Sequence, residues 1–257
     1  MTIEVHQVDL LAFGPHPDDI EIGIGGTVAK HVALGFRVGL CDLTAGEMGS
    51  NGTIEERLAE ADAARAVLGA AWRTNLRLPD RAIGSDPSHT RAIAALIRRA
   101  RPRVVALPYW SDRHPDHVAA SQLLTEAVFS AGLRRYAAEG DAWKAESSCY
   151  YFINDWAPPS FVVDVSDQYD TKRLALACHA SQFTPVAAGA VATRLTSSRF
   201  QQLIESRDAQ FGAQAGVAFA EGFVVTSPVV RPHLIPDAGP STRLGAGPST
   251  PLGAGLR

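Results

Sequence analysis

In the first half of the chain, mainly apolar runs alternate with segments in which apolar residues recur at the period of a helix. Four mainly apolar runs predict buried strands: residues 8–13, 36–44, 74–78 and 103–109. Segments with the period of an amphipathic helix follow these runs: residues 24–34, 53–68, 90–100 and 115–130. Because strands and helices alternate, we expect an α/β fold with a Rossmann-like, open, mostly parallel sheet and helices on both faces.

Local signals bound some of these helices. Thr53 and Glu56 have the spacing of a capping box, which predicts the start of the second helix. Gly35 predicts a left-handed end to the first helix, and Gly69 predicts the end of the second. Right-handed crossovers would then bring the strand-to-helix loops to one edge of the sheet, where such sheets bind ligands.

The second half of the chain is less regular. It contains three further predicted strands, residues 148–154, 161–165 and 222–226, and two helical segments, residues 167–179 and 197–213. No linker interrupts the pattern, so residues 1–230 are predicted to form a single domain. The sequence then reads GPSTRLGA and GPSTPLGA from Gly239 onwards. Two copies of a small-residue octad cannot build a solenoid, and we expect residues 237–257 to be a disordered tail.

Composition narrows the class of protein. Hydrophobic residues make up 46% of the 257 positions, charged residues make up 20%, and the net charge is −3. These values predict a globular protein without nucleic-acid or membrane partners. We find no pattern of a signal peptide or a membrane span. The cysteines Cys41, Cys149 and Cys178 are widely spaced and unmatched, which favours reduced thiols in a cytoplasmic protein.

Two short clusters carry the candidate chemistry. His-Pro-Asp-Asp occupies residues 16–19, just after the first predicted strand, and His-Pro-Asp-His occupies residues 114–117, after the fourth. A catalytic zinc site uses three ligands from histidine and carboxylate and keeps one position open. His16 and Asp19, three residues apart, can face one ion from a tight turn, and His117 supplies the third ligand from the neighbouring loop.

The remaining groups of the clusters suggest catalytic roles. Asp18 is adjacent to a ligand and is predicted to be the general base for a water molecule whose pKa the metal lowers to about 7. His114 is predicted to stabilise the oxyanion of a tetrahedral intermediate or to protonate the leaving amine. A competing interpretation is that Asp18, Asp19 and Asp116 only cap the helices that follow. Two such clusters in equivalent loops favour the metal site.

Two arginines are open to more than one interpretation from the residues alone. Arg57 lies on the helix after a Gly-rich loop, where it can reach a substrate carboxylate or be a solvated surface group. Arg113 precedes His114, where it can contact substrate or pair structurally. The glycines at positions 23, 25 and 26 do not complete a dinucleotide motif, because position 28 is Val28, and they are expected to allow close packing of the first helix.

The chain resembles the LmbE/PIG-L family of zinc-dependent N-acetylglucosaminyl deacetylases. The likeness lies in AFGPHPDD, GLCDLTAGEMGSNGT, NLRLPDR, PYWSDRHPDH, YYFIN, SQF and AEGF, and it extends over about residues 8–226. Within the family it looks closest to the bacillithiol-biosynthesis branch, which deacetylates N-acetylglucosaminyl malate.

The resemblance implies specific roles for individual residues. It implies His16, Asp19 and His117 as metal ligands, Asp18 as the general base and His114 as the stabilising histidine. It also implies a substrate-binding role for Arg57, where a malate carboxylate offers a partner. Pro15 departs from the family, in which Ala is more usual.

The same resemblance sets expectations for cofactor, substrate and assembly. It implies a Zn²⁺ cofactor, although Fe²⁺ suits the same ligands, and a small-molecule glycoside substrate. It also implies a homo-oligomer, often a hexamer in the family. The rival functions are deacetylation of an inositol or chitin-derived conjugate, a metal-dependent phosphoesterase, and a non-enzymatic nucleotide-binding module.

Overall fold

The computed structural model describes residues 5–184 and 191–230. In this part of the chain the strands are β1 (Leu10–Gly14), β2 (Val38–Asp42), β3 (Trp72–Asn75), β4 (Val104–Pro108), β5 (Ser147–Tyr151), β6 (Phe161–Asp164) and β7 (Ala220–Val224). The helices are α1 (Asp19–Ala33), α2 (Ile54–Leu68), α3 (Pro87–Ala100), α4 (Pro115–Ala131), α5 (Tyr169–Cys178), α6 (Ala180–Phe183) and α7 (Ser198–Ala215). A short 3₁₀ turn, Ser166–Gln168, precedes α5.

The strands form one sheet in the order β3-β2-β1-β4-β5-β7-β6. The first five strands in that order are parallel, and β7 is antiparallel to both β5 and β6. The predicted mostly parallel α/β fold is therefore confirmed. The strand order reverses between β1 and β4, and in open sheets this switch point forms a crevice at the carboxyl ends of the strands.

The core occupies both faces of the sheet, as the alternation of side chains along β1 requires. Leu11 and Phe13 point into the hydrophobic cluster that also contains residues of α3 and α4. Leu10 and Ala12 point into the opposite cluster, which contains residues of α1, α2 and α5. A strand that is buried on both faces reads as a continuous apolar run, which is why the sequence revealed β1 so clearly.

The predicted helix signals are confirmed. Thr53 and Glu56 form both hydrogen bonds of a capping box at the start of α2, and Gly69 ends that helix in the left-handed region. Gly35 also has positive φ after α1. The predicted start of the first helix at Ile24 is wrong, because α1 begins at Asp19 and Ile24 is instead a non-helical residue inside it.

The glycines of α1 allow close packing, as expected. A Cβ atom at Gly23 would lie 2.2 Å from the Tyr151 ring, and one at Gly26 would lie 2.8 Å from Val165. No real Cβ approaches other atoms so closely. These glycines therefore let α1 approach β5 and the turn after β6, and they need no dinucleotide to explain them.

The expectations about the cysteines, membrane spans and domain boundaries can be compared with the structure in turn. All three cysteines are free, as predicted. Among the described helices, none combines the length and apolar character needed to cross a membrane. The strands and helices of the described residues all fall in a compact unit that ends at Thr226. The domain boundary at residue 230 stays a prediction, and the predicted tail, residues 237–257, lies outside the described residues.

Candidate active site

The two histidine clusters meet at the switch point of the sheet. Residues 16–19 follow β1 and lead into α1, while residues 114–117 follow β4 and lead into α4. Because β1 and β4 are adjacent parallel strands, their carboxyl ends deliver both clusters to one crevice. The pocket there is lined by every predicted site residue: His16, Asp18, Asp19, Arg57, Arg113, His114 and His117.

The three predicted metal ligands converge. Donor atoms of His16, Asp19 and His117 all lie within 4.8 Å of one another, and all three residues are largely buried. Nδ1 of His16 is 3.2 Å from Asp19 Oδ2, and Nε2 of His117 is 3.4 Å from the same oxygen. Two ligands of a tetrahedral zinc ion with bonds of about 2.0–2.1 Å lie roughly 3.3 Å apart. The donor set and its spacing therefore fit zinc.

Each of the two histidines has a carboxylate on its outer side. Nε2 of His16 is 3.2 Å from Asp80 Oδ1, and Nδ1 of His117 is 3.1 Å from Asp112 Oδ1. Metal-bound histidines commonly donate their second N–H to a carboxylate, which fixes the ring orientation and the tautomer. Asn154 Nδ2 donates to Asp112 Oδ1 at 3.0 Å and holds that carboxylate in place.

The electrostatics of the cluster favour a positive charge. Burial alone would lower the histidine pKa values, but Asp19 and Asp112 raise the pKa of His117 to about 9. Likewise Asp116, Asp19 and Asp80 overcome burial and raise the pKa of His16 well above its usual value. The negative potential that holds protons on these rings also attracts a divalent cation, whose binding would release them.

Asp18 occupies an unusual position at the start of α1. It has φ of 120°, which is strained for a residue with a side chain, and its carboxylate makes no capping hydrogen bond to the helix. The side chain lines the pocket instead. Burial and the adjacent Asp19 raise the pKa of Asp18 to about 6, although Arg57 lowers it in part. A carboxylate with this pKa can accept a proton near neutral pH.

Arg57 is a buried residue, so the surface alternative for it is wrong. Its guanidinium donates to the carbonyl oxygens of Gly46 and Pro17, each at 2.9 Å, and its Nη2 lies 3.4 Å from Asp18 Oδ2. Its Nε is buried without a hydrogen-bond partner in the described structure. The arginine therefore holds the backbone before Asp18 and faces the pocket.

His114 is the N-cap residue of α4. Its Nδ1 accepts a hydrogen bond from the backbone N–H of Asp116 at 3.2 Å, so the neutral ring carries its proton on Nε2. Burial and the charge of His117 lower the pKa of His114, which favours this neutral form. The ring stacks on His117 with centroids 4.7 Å apart. It is thus a hydrogen-bond donor next to the predicted metal position.

The interpretation that the aspartates only cap helices is wrong for all three. Asp18 makes no capping bond, and Oδ2 of Asp19 accepts from the backbone N–H of His16 at 2.9 Å and faces the histidines. Asp116 accepts from the backbone and the guanidinium of Arg81. Its Oδ2 is also 3.5 Å from His16 Nε2.

Arg113 lines the pocket and is exposed. The described residues give it no acidic partner, which removes the structural-pairing alternative there and leaves substrate contact as a prediction.

Comparison with known proteins agrees with this arrangement. A family model described as PIG-L, GlcNAc-PI de-N-acetylase, matches residues 11–128, which contain both histidine clusters. The diacetylchitobiose deacetylase of Thermococcus kodakarensis is 32% identical over 189 residues, covering 68% of this chain and 70% of that protein. The chain belongs to the PIG-L family. As a PIG-L family member it is a hydrolase of the de-N-acetylase class.

Two further proteins extend the similarity of this PIG-L family member. A 1D-myo-inositol 2-acetamido-2-deoxy-alpha-D-glucopyranoside deacetylase of Rhodococcus opacus is 28% identical over 244 residues, covering 70% of this chain and 83% of that protein. The crystal structure of a conserved protein from Thermus thermophilus, TT1542, superposes with a TM-score of 0.81 at 39% identity, covering 90% of this chain and all of that one. Both similarities reach well beyond the segment that the family model matches.

Sequence reasoning missed several residues that support the site. Asp80, Asp112 and Asn154 received no role, although all three lie within segments that carry the family resemblance. They follow β3, β4 and β5, whose carboxyl ends lie on the same edge as β1. Polar residues just after parallel strands were therefore the available signal. His179 was likewise assigned no role, yet it is buried and its Nε2 lies 3.3 Å from Glu21 Oε2.

Proposed function

We propose that this protein is a zinc-dependent deacetylase that removes the N-acetyl group from a small N-acetylglucosamine conjugate. The observation that carries the proposal is the convergence of His16, Asp19 and His117, with the carboxylate of Asp18 in the same pocket. Named relatives that deacetylate diacetylchitobiose and a glucosaminyl inositol support the substrate class. The phosphoesterase and nucleotide-binding alternatives lose support, because the family is one of de-N-acetylases.

In the proposed mechanism His16, Asp19 and His117 would hold the ion. Zinc, when bound, supplies a Lewis acid for the acetyl carbonyl and lowers the pKa of water to about 7. Asp18 takes the proton of the attacking water, and its pKa of about 6 suits that role. Nε2–H of neutral His114 donates a hydrogen bond to the developing oxyanion, and the proton taken up by Asp18 passes to the departing amine nitrogen. The products are acetate and a free glucosamine amine.

The finer substrate assignment is N-acetylglucosaminyl malate. Arg113 is an exposed pocket residue, and Arg57 has a buried Nε that no described residue hydrogen-bonds. Both positive side chains suit a substrate with carboxylates, because arginine binds carboxylate in a charge-assisted, often bidentate way. A role in bacillithiol biosynthesis, a cytoplasmic location and assembly into a homo-oligomer, up to a hexamer, belong to this proposal and come from the family resemblance alone.

The test combines metal analysis with acetate release. Protein purified without added metal is analysed for zinc and iron, and its rate is measured on the malate conjugate, the inositol conjugate and diacetylchitobiose. We expect one divalent ion per chain and the highest kcat/KM on the malate conjugate. A higher value on the inositol or chitobiose substrate would reassign the substrate, while absence of acetate release from all three would overturn the proposed activity.

A further inference from the structure

Helix α1 is broken one turn after the residues that it contributes to the site. Ile24 has φ of −140° and ψ of 24°, so the first turn, which begins at Asp19, is separated from the rest of the helix. Such a break deprives nearby carbonyl and N–H groups of their helical partners. These groups are buried, and a buried backbone group without a partner is costly.

Two charged side chains from distant elements satisfy the groups at the break. Arg207 of α7 donates from Nη2 to the carbonyl of Ile22 at 2.7 Å. Glu221 of β7 accepts from the backbone N–H groups of Gly26 and Thr27 at 2.9 and 2.6 Å. The arginine therefore caps the C-terminal end of the first segment of α1, and the glutamate caps the N-terminal end of the second segment.

Arg207 also binds the segment after β5, which lines the other side of the pocket. Its Nη1 donates to the carbonyls of Phe152 and Ile153 at 3.1 and 2.9 Å. The next residue, Asn154, holds the carboxylate of Asp112, which faces Nδ1 of His117. One guanidinium therefore ties the segment bearing Asp19 to the segment that orients His117.

A buried network fixes the guanidinium itself. Nε of Arg207 donates to Asp208 Oδ1 at 2.9 Å, and Asp208 Oδ2 accepts from Lys172 at 2.7 Å and from the Tyr169 hydroxyl at 3.1 Å. Lys172 also donates to Glu221 at 2.7 Å. All of these side chains are buried, and none of them lines the pocket. The network therefore makes no contact in the pocket, and it acts on the site through the backbone groups that it binds.

We propose that Arg207 is a positioning residue that sets the separation of the two halves of the metal centre by clamping the carbonyl of Ile22 to those of Phe152 and Ile153. The planar guanidinium places one nitrogen, Nη2, at the carbonyl of Ile22 and another, Nη1, at those of Phe152 and Ile153, and the single nitrogen of lysine cannot occupy both positions. The inference rests on the proposed metal function of His16, Asp19 and His117.

The test compares Arg207→Lys with Arg98→Lys. Arg98 is a similarly buried arginine. Among the described residues its guanidinium binds backbone carbonyls only, those of Ala131, Leu133, Tyr136, Ala138 and Gly140. Zinc affinity is measured by competition with a chromophoric chelator, and the visible spectrum is recorded after cobalt substitution. We expect Arg207→Lys to bind zinc about 10-fold or more weakly and to change the cobalt spectrum. We expect the two substitutions to lower Tm by similar amounts. Arg98→Lys should nevertheless keep the parental zinc affinity and the parental cobalt spectrum.

The outcomes separate the inference from the function on which it rests. Parental zinc affinity and cobalt spectrum in Arg207→Lys would overturn the positioning role, as would an equal loss of affinity in Arg98→Lys. A parent protein that binds neither metal would overturn the proposed function as well. If Arg207→Lys does not fold, Asp208→Asn removes the charge beside Nε, and its expected effect is a loss of zinc affinity of about 3-fold or more. Parental affinity in that variant would likewise overturn the inference.

Discussion

Two buried arginines meet carboxylates in opposite ways in this molecule. Arg73 is fully paired: it contacts both oxygens of Asp42 at 2.8 Å and both of Glu21, the nearer at 2.5 Å. Arg57 approaches Asp18 only at 3.4 Å and donates otherwise to backbone carbonyls, and within residues 5–184 and 191–230 its Nε has no hydrogen-bond partner. Both arginines have almost no exposed surface.

The difference in pairing appears in the pKa values of Glu21, which contacts Arg73, and of Asp18, which lies near Arg57. Burial favours the neutral form of each, but Arg73 and His179 lower the pKa of Glu21 to about 2. For Asp18 burial prevails, the more distant Arg57 compensates only in part, and the pKa rises to about 6. Held ionised by these partners, Glu21 is a structural group, whereas Asp18, left poorly paired, can exchange a proton near neutral pH. Asp42, the other partner of Arg73, keeps a raised pKa, because burial and the charge of Glu21 outweigh the arginine. The following experiments test that distinction.

The largest effect is expected for Asp18→Asn. The amide keeps the shape of the side chain but cannot accept the proton of water, so kcat should fall by about 10²- to 10⁴-fold. Metal content should remain at the parent level, because the three proposed ligands are unchanged. Acetate release and metal analysis on the same sample check both statements. Turnover at the parental rate would show that another group is the base.

A loss of stability rather than of chemistry is expected for Arg73→Gln. The change leaves Asp42 without its arginine and leaves Glu21 with His179 alone, and removal of one partner from a buried ion pair costs about 3–5 kcal/mol. Denaturant unfolding measures this cost. The matched control is Arg173→Gln, whose half-exposed guanidinium pairs with Asp170 and Glu205 and should contribute about 1 kcal/mol or less. Equal losses in the two variants would contradict the structural role of Arg73.

A smaller effect on metal binding is expected for Asp112→Asn. The carboxylate faces Nδ1 of His117, and loss of such an outer partner typically weakens metal affinity by about 10- to 100-fold. Zinc competition titration measures the change. Asp170→Asn, a surface substitution on α5, is the control and should bind zinc as the parent does. If the two variants had the same affinity, Asp112 would have no part in orienting His117.

The smallest effect is a pH dependence of stability at His179. Burial would lower its pKa, but Glu21 and Asp18 raise it, against a smaller opposing effect of Arg73. Its stabilising contribution is therefore complete below the unfolded pKa of about 6.5 and disappears as pH rises through the higher folded value. His179→Gln should flatten the stability curve over that window. An unchanged difference in unfolding free energy between pH 6 and pH 9 would contradict this assignment.

Local sequence signals predicted much of the architecture. The capping box of Thr53 and Glu56, the turn at Gly69 and the apolar run of β1 depend on neighbouring residues only, and all three are confirmed. The clusters at residues 16–19 and 114–117 were also recognisable, because histidine and aspartate occur at short spacings just after two predicted strands. Their meeting agrees with the expectation that the strand-to-helix loops lie along one edge of the sheet.

The sequence did not reveal the partners of those clusters. Asp80 reaches His16 across 64 residues of chain, and Arg207 reaches Ile22 across 185. An aspartate or arginine has no local pattern that announces a partner so far away. The break at Ile24 was missed for the same reason, since its stabilising groups, Arg207 and Glu221, come from α7 and β7.

The sequence by itself determined the strand–helix alternation, the family resemblance and the identity of the residues proposed to carry the chemistry. These depend on local periodicity and on side-chain types, which can be read one segment at a time. Only the tertiary structure decided that Arg57 is buried beside Asp18, that His114 rather than Asp116 caps α4, and that Asp112 lies 3.1 Å from Nδ1 of His117. Such facts depend on burial and on contacts between distant segments, and folding alone creates both.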